Sequence, residues 1–316
     1  MTRPDEAHSR HGLRVQTVLN GTDVGTFGRF AQGMSAACAL AKDSGRIATV
    51  TLAVADLSGA PWASAASLCE LAGELFDDTT YVRVEDDVGP GGAHNLLFDL
   101  SSSHRGAGSD VALLVSPNVY ASPRLVKELM TPLTDPKVGI VEGRQLPLEL
   151  AKAYDTDTGD TSWASASCLL VRIALIEQLD GFDTTDLGWW GYDVDLSWRA
   201  RQRGWRVVHR PGARVFLDHR LAPSGAPLRR EDEAPQVRRH QARASVLLPW
   251  RYSRPDVAVE RIAALTASSD DAERAVADEL RARIDSDGMP EPVDPEHDVG
   301  QFVAGGYAVE RFSYRA

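Results

Sequence analysis

The sequence predicts an α/β protein: a mostly parallel, Rossmann-like sheet flanked by helices, followed by a helical C-terminal extension. Three observations predict it. As far as Pro136, short β-rich apolar runs alternate with longer segments of helical period. One of these runs, Val111–Val115 (VALLV), is apolar without interruption, as a parallel strand buried on both faces must be. From about Leu228 the strand runs give way to amphipathic helical segments.

In chain order, residues 1–12 are polar and read as a flexible N-terminus. The predicted strands are Leu13–Leu19, Ile47–Val54, Thr80–Val84 and Val111–Val115, the last of them central. Helices are predicted between them at Thr26–Lys42, Trp62–Phe76 and His94–Ser103, and after them at Leu125–Leu133. Beyond Pro136 come a strand (Val138–Glu142), an irregular polar span (Tyr154–Thr161), a second strand (Cys168–Val171) and a short helix (Leu175–Leu179) that Gly181 stops. A helix from Tyr192 to Arg203 ends at Gly204, and Trp205–His209 and Ala213–Leu217 read as edge strands. The α/β domain is therefore placed at 13–227 and the extension at 228–316. Helices are expected there at Asp256–Thr266 and Asp271–Ile284, and an acidic, proline-rich linker at 285–298.

Composition narrows the function. The 316 residues carry 34 Lys+Arg against 45 Asp+Glu, a net charge of −11, which argues against nucleic-acid binding through surplus positive charge. Cys38, Cys69 and Cys168 are far apart and form no CxxC pair, so neither a disulfide framework nor a structural zinc site is expected. No apolar run approaches the ~18 residues of a membrane span, and the N-terminus lacks an apolar signal core. The expected location is cytoplasmic, with any membrane contact made from the surface.

In open α/β sheets, ligands bind beyond the carboxyl ends of the strands. The polar residues there are Asn20, Asp56, the stretch Glu85–Asn95 (EDDVGPGGAHN) and Ser116-Pro117-Asn118. Singly, each is more readily a turn former than a ligand, and GPGG has neither a Walker lysine nor GxGxxG spacing. Four such positions on one sheet edge point to a binding site. Further on, Gly181–Trp205 (GFDTTDLGWWGYDVDLSWRARQRGW) sets Trp189 and Trp190 before Asp193 and Asp195 at a helix start. The carboxylates suit the positive end of the helix dipole, and Asp195 with Arg199 is an i,i+4 pair. Adjacent aromatics beside a carboxylate also suit stacking and deprotonating a sugar, whereas the alternative for the tryptophans is a place in the core.

Taken together, SPNV (116–119), QLPLELAKAYDTDTGDTSWASAS (145–167), GFD (181–183), GYDVDLSWR (191–199), GW (204–205) and PGARVFLDH (211–219) resemble family 2 glycosyltransferases. These are inverting enzymes of GT-A fold, and the likeness is to rhamnosyl- and galactofuranosyl-type members over about Val15 to Arg220. The resemblance implies transfer from a UDP- or dTDP-sugar to a glycan or lipid-linked acceptor in cell-wall or polysaccharide biosynthesis. Asp193 is implied as the general base. Asn20, Asp56, Asp87 and Asn95 fall on the nucleotide side, and Asn118 and His219 on the metal and diphosphate side. Trp163, Trp189 and Trp190 are placed near the acceptor.

Three departures from the family pattern stand out. Asp87 replaces an Asn, Tyr192 replaces an acidic neighbour of the base, and Asn118 is neutral where a metal-binding Asp is expected. A divalent cation, Mn2+ or Mg2+, is therefore expected to be weakly held. The arginines from Arg199 to Arg261 offer an alternative grip on phosphate or an anionic membrane surface, or else a solvated face paired with Glu231, Asp232 and Glu233. The departures also admit a non-catalytic relative that binds a nucleotide sugar, glycan or partner protein. A sugar nucleotidyltransferase is disfavoured, because no glycine-rich Arg-Lys phosphate loop is present.

Overall fold

The computed structural model describes residues 11–59, 65–72, 74–102, 109–150, 153–217, 221–222, 224–288, 291–296 and 299–300, and the short strands 302–303, 306–307 and 314–315. The first half runs β1 (His11–Leu19), α1 (Val24–Asp43), β2 (Ile47–Asp56), α2 (Ala65–Ala72), β3 (Asp78–Arg83), α3 (Gly89–Ser102), β4 (Val111–Val115) and β5 (Val119–Ala121). Then follow α4 (Leu125–Met130), β6 (Val138–Leu146), β7 (Glu149–Leu150), β8 (Cys168–Arg172), α5 (Ile173–Leu179), α6 (Tyr192–Gln202) and β9 (Arg206–Leu217). The extension is α7 (Pro235–Arg251), α8 (Pro255–Thr266) and α9 (Asp271–Asp287).

Eight strands form one sheet in the order β3-β2-β1-β4-β8-β6-β9-β5. The β3-β2-β1-β4 side is all parallel, β8 is antiparallel to both its neighbours, and β9 is parallel to β6. The β4 strand is internal and buried at all five residues, as its unbroken apolar run requires. On one face, Phe27, Phe30 and Met34 of α1 and Leu125, Val126 and Leu129 of α4 pack on the sheet. On the other, Leu175 and Ile176 of α5 and Leu196 and Ala200 of α6 pack on Ala112, Leu114 and Leu169. Because the chain leaves β1 towards β2 and β3 and returns to β4 on the opposite side, a crevice opens between the carboxyl ends of β1 and β4.

The C-terminal helices share a core with the sheet domain. Ala244, Leu247 and Leu248 of α7, Ile262 of α8 and Leu280 of α9 bury Trp198 and Val194 of α6 together with Trp163.

Several boundaries differ from expectation. The runs read as Trp205–His209 and Ala213–Leu217 join in one strand, β9, between β6 and β5 in the sheet order. Strand β5 pairs only with Val215–Leu217, and the first half of β9 has β6 on one side and a single bridge from Asp160 to Val208 on the other. The pairing of β9 with β6 jumps from Arg210 opposite Gly143 to Arg214 opposite Arg144, so Pro211-Gly212-Ala213 bulges within a continuous strand. Helix α3 begins at Gly89, five residues earlier than predicted, with Pro90 in its first turn. The 285–298 segment is no free linker where described: α9 extends to Asp287, and Val293 N–H donates to the Arg251 carbonyl at 2.9 Å. Buried Asp294 accepts the Val299 and Gly300 N–H groups. Trp62 lies outside the described residues, and the helix placed around it is described from Ala65 to Ala72.

Candidate active site

The carboxyl ends of the parallel strands form one wall of the site. Asn20 is exposed just after β1, where Gly21 N–H donates to Ser58 Oγ at 3.1 Å. Asp56, ending β2, is only 1% exposed. Its Oδ1 accepts Ser58 N–H and its Oδ2 accepts the Tyr81 hydroxyl, each at 2.9 Å. Burial and that carboxylate push the Tyr81 hydroxyl up to about 12, so it remains a donor. Asp56 was expected on the nucleotide; here it faces inward and joins the ends of β1, β2 and β3, leaving Asn20 at the surface. The SPNV segment is a tight turn from β4 into β5, closed by Val119 N–H donating to the Ser116 carbonyl at 3.1 Å, and Asn118 is half-buried in it.

Asp193 lies in the first turn of α6, after Gly191 at φ 87°, and is 2% exposed. Its Oδ2 accepts Ala166 N–H and its Oδ1 accepts Val194 N–H, both at 3.0 Å. The returning 163–167 segment covers it. That segment is held from three directions. Ala164 N–H donates to Ser197 Oγ at 3.1 Å, Ser165 N–H to Glu142 Oε1 at 2.7 Å, and the Ser167 carbonyl accepts Ser116 N–H at 3.1 Å. A chain of contacts thus runs from Asp193 through Ala166 and Ser167 to the end of β4, where Asn118 stands. These two N–H donors orient the carboxylate.

Glu142 and His209 were not singled out from sequence. Glu142 is 1% exposed, with Oε2 lying 3.0 Å from His209 Nδ1 beneath the 163–167 segment. The signal was present: a carboxylate in the apolar strand VGIVEG needs a buried partner.

The aromatic loop is clamped from two sides. From α3, Gly91 N–H donates to the Gly188 carbonyl at 2.9 Å, and Asp87 Oδ1 accepts Trp189 Nε1–H at 2.8 Å. A Cβ on Gly89, at φ +66°, would lie 2.5 Å from the Gly188 oxygen, so the GPGG glycines permit backbone-to-backbone docking. Asn95 exchanges two 2.9 Å hydrogen bonds with the Phe182 backbone. Asp87 and Asn95, expected on the nucleotide, therefore hold the 181–191 loop. From the extension, Arg251 pairs with Asp183, Arg283 pairs with Asp186, and His240 stacks on Trp189 with centroids 4.9 Å apart and planes 9° from parallel.

Trp189 and Trp190 are half-buried, so neither is wholly core. Trp163, expected near the acceptor, is 3% exposed inside the α6–α7 cluster. The pairing of Asp195 with Arg199 is present at 2.7 Å, and Asp195 also meets Arg251 and the Tyr252 hydroxyl. Many of the arginines have acidic partners, some distant in sequence: Arg206 with Asp135 and Asp160, Arg238 with Asp270, and Arg230 with Glu273. Arg229 does pair with Glu231 and Asp232, as the solvated-face reading expected.

His219 lies outside the described residues. Among the described residues, no three His, Cys, Asp or Glu side chains gather as a metal site, and Asn118 offers one neutral oxygen. These residues do not by themselves fit a protein-held cation. No helix among them is long and apolar enough to cross a membrane.

No family model matches the chain. Over 189 residues, 58% of its length, it is 31% identical to the N-acetylglucosaminyl-diphospho-decaprenol L-rhamnosyltransferases of Mycobacterium tuberculosis strains CDC 1551 / Oshkosh and ATCC 25618 / H37Rv. The match spans 59% of the length of these curated relatives. Its fold is similar to that of a mannosyltransferase from Pyrobaculum calidifontis solved in complex with GDP-Man and Mn2+. The TM-score is 0.52 at 14% identity, over 87% of this chain and 81% of that one. The curled, mostly parallel sheet with its flanking helices is thus the GT-A glycosyltransferase fold, carried by a chain similar in sequence to these rhamnosyltransferases.

Proposed function

We propose that the protein is an inverting glycosyltransferase. It takes a sugar from a UDP- or dTDP-sugar to a hydroxyl of a glycan or lipid-linked acceptor, with Asp193 as general base. One observation carries the reading. Through Ala166, Ser167 and Ser116, Asp193 is tied to the end of β4, beside the β1–β4 crevice, and the clamped tryptophan loop leads directly into its helix. The reading is supported because Asp193 and the crevice lie towards one sheet edge.

In this reading the nucleotide lies over Asn20 and the strand ends that Asp56 orders. The acceptor oxygen attacks the anomeric carbon from the face opposite the leaving group. The bond from that carbon to the nucleoside diphosphate breaks with its electron pair on the phosphate oxygen, and Asp193 takes the acceptor's proton. Trp189 and Trp190 offer the acceptor rigid aromatic surfaces. A divalent cation, where one takes part, would be held mainly by the diphosphate, with Asn118 and, by the sequence resemblance alone, His219 as the protein's candidates; no step above depends on it. The working unit is the sheet domain, 13–227, completed by the helices of 228–316. A lipid-linked acceptor, supported by the names of the relatives, would bring this cytoplasmic enzyme to a membrane surface.

A second reading, a fold that binds nucleotide sugars without turnover, draws on the burial of Asp193 and on neutral Asn118. Thermal shift against UDP-, dTDP- and GDP-sugars, followed by assays of hydrolysis and transfer with and without Mn2+, separates the two. Stabilisation together with turnover supports the transferase. Stabilisation with no turnover under any metal supports the second reading.

A further inference from the structure

The geometry points to an oligosaccharide subsite built jointly by the aromatic loop and the C-terminal helices, in which His240 sets acceptor specificity. The inference rests on the transferase reading and assigns the extension its part in that reaction.

A cleft of about 690 Å3 opens between the Asp87–Val88 turn, the 184–190 loop and helices α7 and α9. That volume falls within the ~300–1,000 Å3 of small-molecule sites and exceeds what one sugar ring fills. Its walls are aromatic and bear both signs of charge. Trp189 and Trp190 lie on one side, Arg239, His240 and Arg243 come from α7, and Glu279 comes from α9. Asp87 and Asp186 complete three carboxylates against two guanidinium groups. Burial holds the His240 imidazole below its ordinary value, opposed by Asp87 and reinforced by Arg239 and Arg243. With a neutral imidazole, the lining has no surplus positive charge to attract a phosphate, and Arg243 already pairs with Asp186 and Glu279. Flat rings surrounded by planar donors and acceptors suit the apolar faces and equatorial hydroxyls of uncharged sugars.

Three features make the cleft a ligand site. His240 stacks on Trp189 and fixes its ring, while His240 Nε2 is shielded from solvent without a hydrogen-bond partner. Trp189 is held at its other end by Asp87, so its orientation is set before any sugar arrives. Finally, Trp190 lies three residues before Asp193 in the sequence, on the loop that leads into its helix, and in this reading the cleft is set beside the reacting hydroxyl. The sugar bearing that hydroxyl sits at Asp193, and the preceding sugars of the acceptor occupy the cleft. His240 is a positioning residue, acting through Trp189.

Binding measured without donor tests this. The full-length protein is titrated by calorimetry and tryptophan fluorescence with neutral gluco-, manno- and rhamno-trisaccharides, with the matching monosaccharides, and with inorganic diphosphate. At least one trisaccharide should bind about tenfold or more tighter than its monosaccharide. His240→Ala and Trp189→Ala should each weaken that binding about tenfold, His240→Phe should restore most of it, and UDP or dTDP binding should be unchanged. Arg239→Ala, at a largely exposed side chain, tests the same cleft should a core variant fail to fold. Failure of every trisaccharide to bind, equal binding by wild type and all variants, or diphosphate binding lost in the same variants would overturn the inference. Saccharide binding without nucleotide-sugar turnover would instead overturn the transferase reading and leave the cleft in place.

Discussion

Asp195 joins the sheet domain to its extension, and removing its carboxylate should be costly. In the first turn of α6 it is fully buried. Its Oδ2 accepts Arg199 Nε–H at 2.7 Å, and its Oδ1 accepts the Tyr252 hydroxyl at 2.9 Å and lies 3.0 Å from Arg251 Nε. Burial opposes the charge of Arg251, but the Asp195 and Asp183 carboxylates more than compensate and hold the guanidinium above its ordinary value. Burial and Asp195 together raise the Tyr252 hydroxyl well above its own. The sequence shows only an i,i+4 pair with Arg199; the structure shows a buried hub. Removing one partner of a buried ion pair costs about 3–5 kcal/mol, because the remaining charge is left desolvated. At roughly 2–4 °C per kcal/mol for a chain of this order, Asp195→Ala should lower Tm by on the order of 10 °C. Thermal melts by circular dichroism measure this, with Asp256→Ala, which breaks an exposed pair with Arg254, as a control showing no clear shift. A double-mutant cycle with Tyr252→Phe should show a coupling of about 0.5–3 kcal/mol, since the Tyr252 hydroxyl donates directly to Asp195 Oδ1. An Asp195→Ala protein that melts with wild type would refute the hub.

Other expectations follow from single contacts. Asn118→Asp should strengthen Mn2+-dependent UDP or dTDP binding by about 1–3 kcal/mol in calorimetry, since a charged oxygen replaces a neutral one; no gain would place Asn118 away from the diphosphate. His94, buried against Gln16 at 3.2 Å, is pushed by burial down to about 3. Its unfolded form takes up a proton near its ordinary value and the folded form resists, so stability is present at neutral pH and lost as pH falls through that window. The slope approaches about 1.4 kcal/mol per pH unit, and denaturant midpoints of His94→Gln should show an acid limb shallower by that one proton. Gly91→Ala places a Cβ 3.2 Å from the Gly188 oxygen and from the Tyr192 ring, so it should loosen the aromatic loop, raising the acceptor's KM more than the donor's.

The parts of the fold legible in sequence were those written locally. VALLV is apolar at every position because β4 is covered on both faces, and Asp195 with Arg199 lies within one helix. Helix α3 was read too short because its opening glycines resemble a loop; their function is to let Gly188 approach from 97 residues away in sequence, which no local pattern shows. Strand β9 was split because Pro211 and Gly212 look like a stop, whereas a bulge accommodates them. In the site, the positions of Asn20, Asp56 and Asp193 were legible as strand-end and helix-start residues. Their exposure was not, since Asp193 is covered by a segment 27 residues earlier in the chain and Asp56 by Tyr81, 25 residues later. The second clamp on the aromatic loop, from His240, Arg251 and Arg283, was hidden because ion pairs and ring stacks leave no periodic trace.

Asp193 offers the most direct test. Asn at this position keeps the shape but has one acceptor oxygen for the Ala166 and Val194 N–H groups, so one bond is lost, at about 1–3 kcal/mol of stability. The protein should still fold and still bind the nucleotide sugar. Single-turnover transfer, with donor binding followed in the same sample, should fall by about 10²–10⁴-fold in Asp193→Asn at unchanged donor affinity. Transfer at the wild-type rate by a folded Asp193→Asn protein would contradict the assignment of the base, and with it the account of this site.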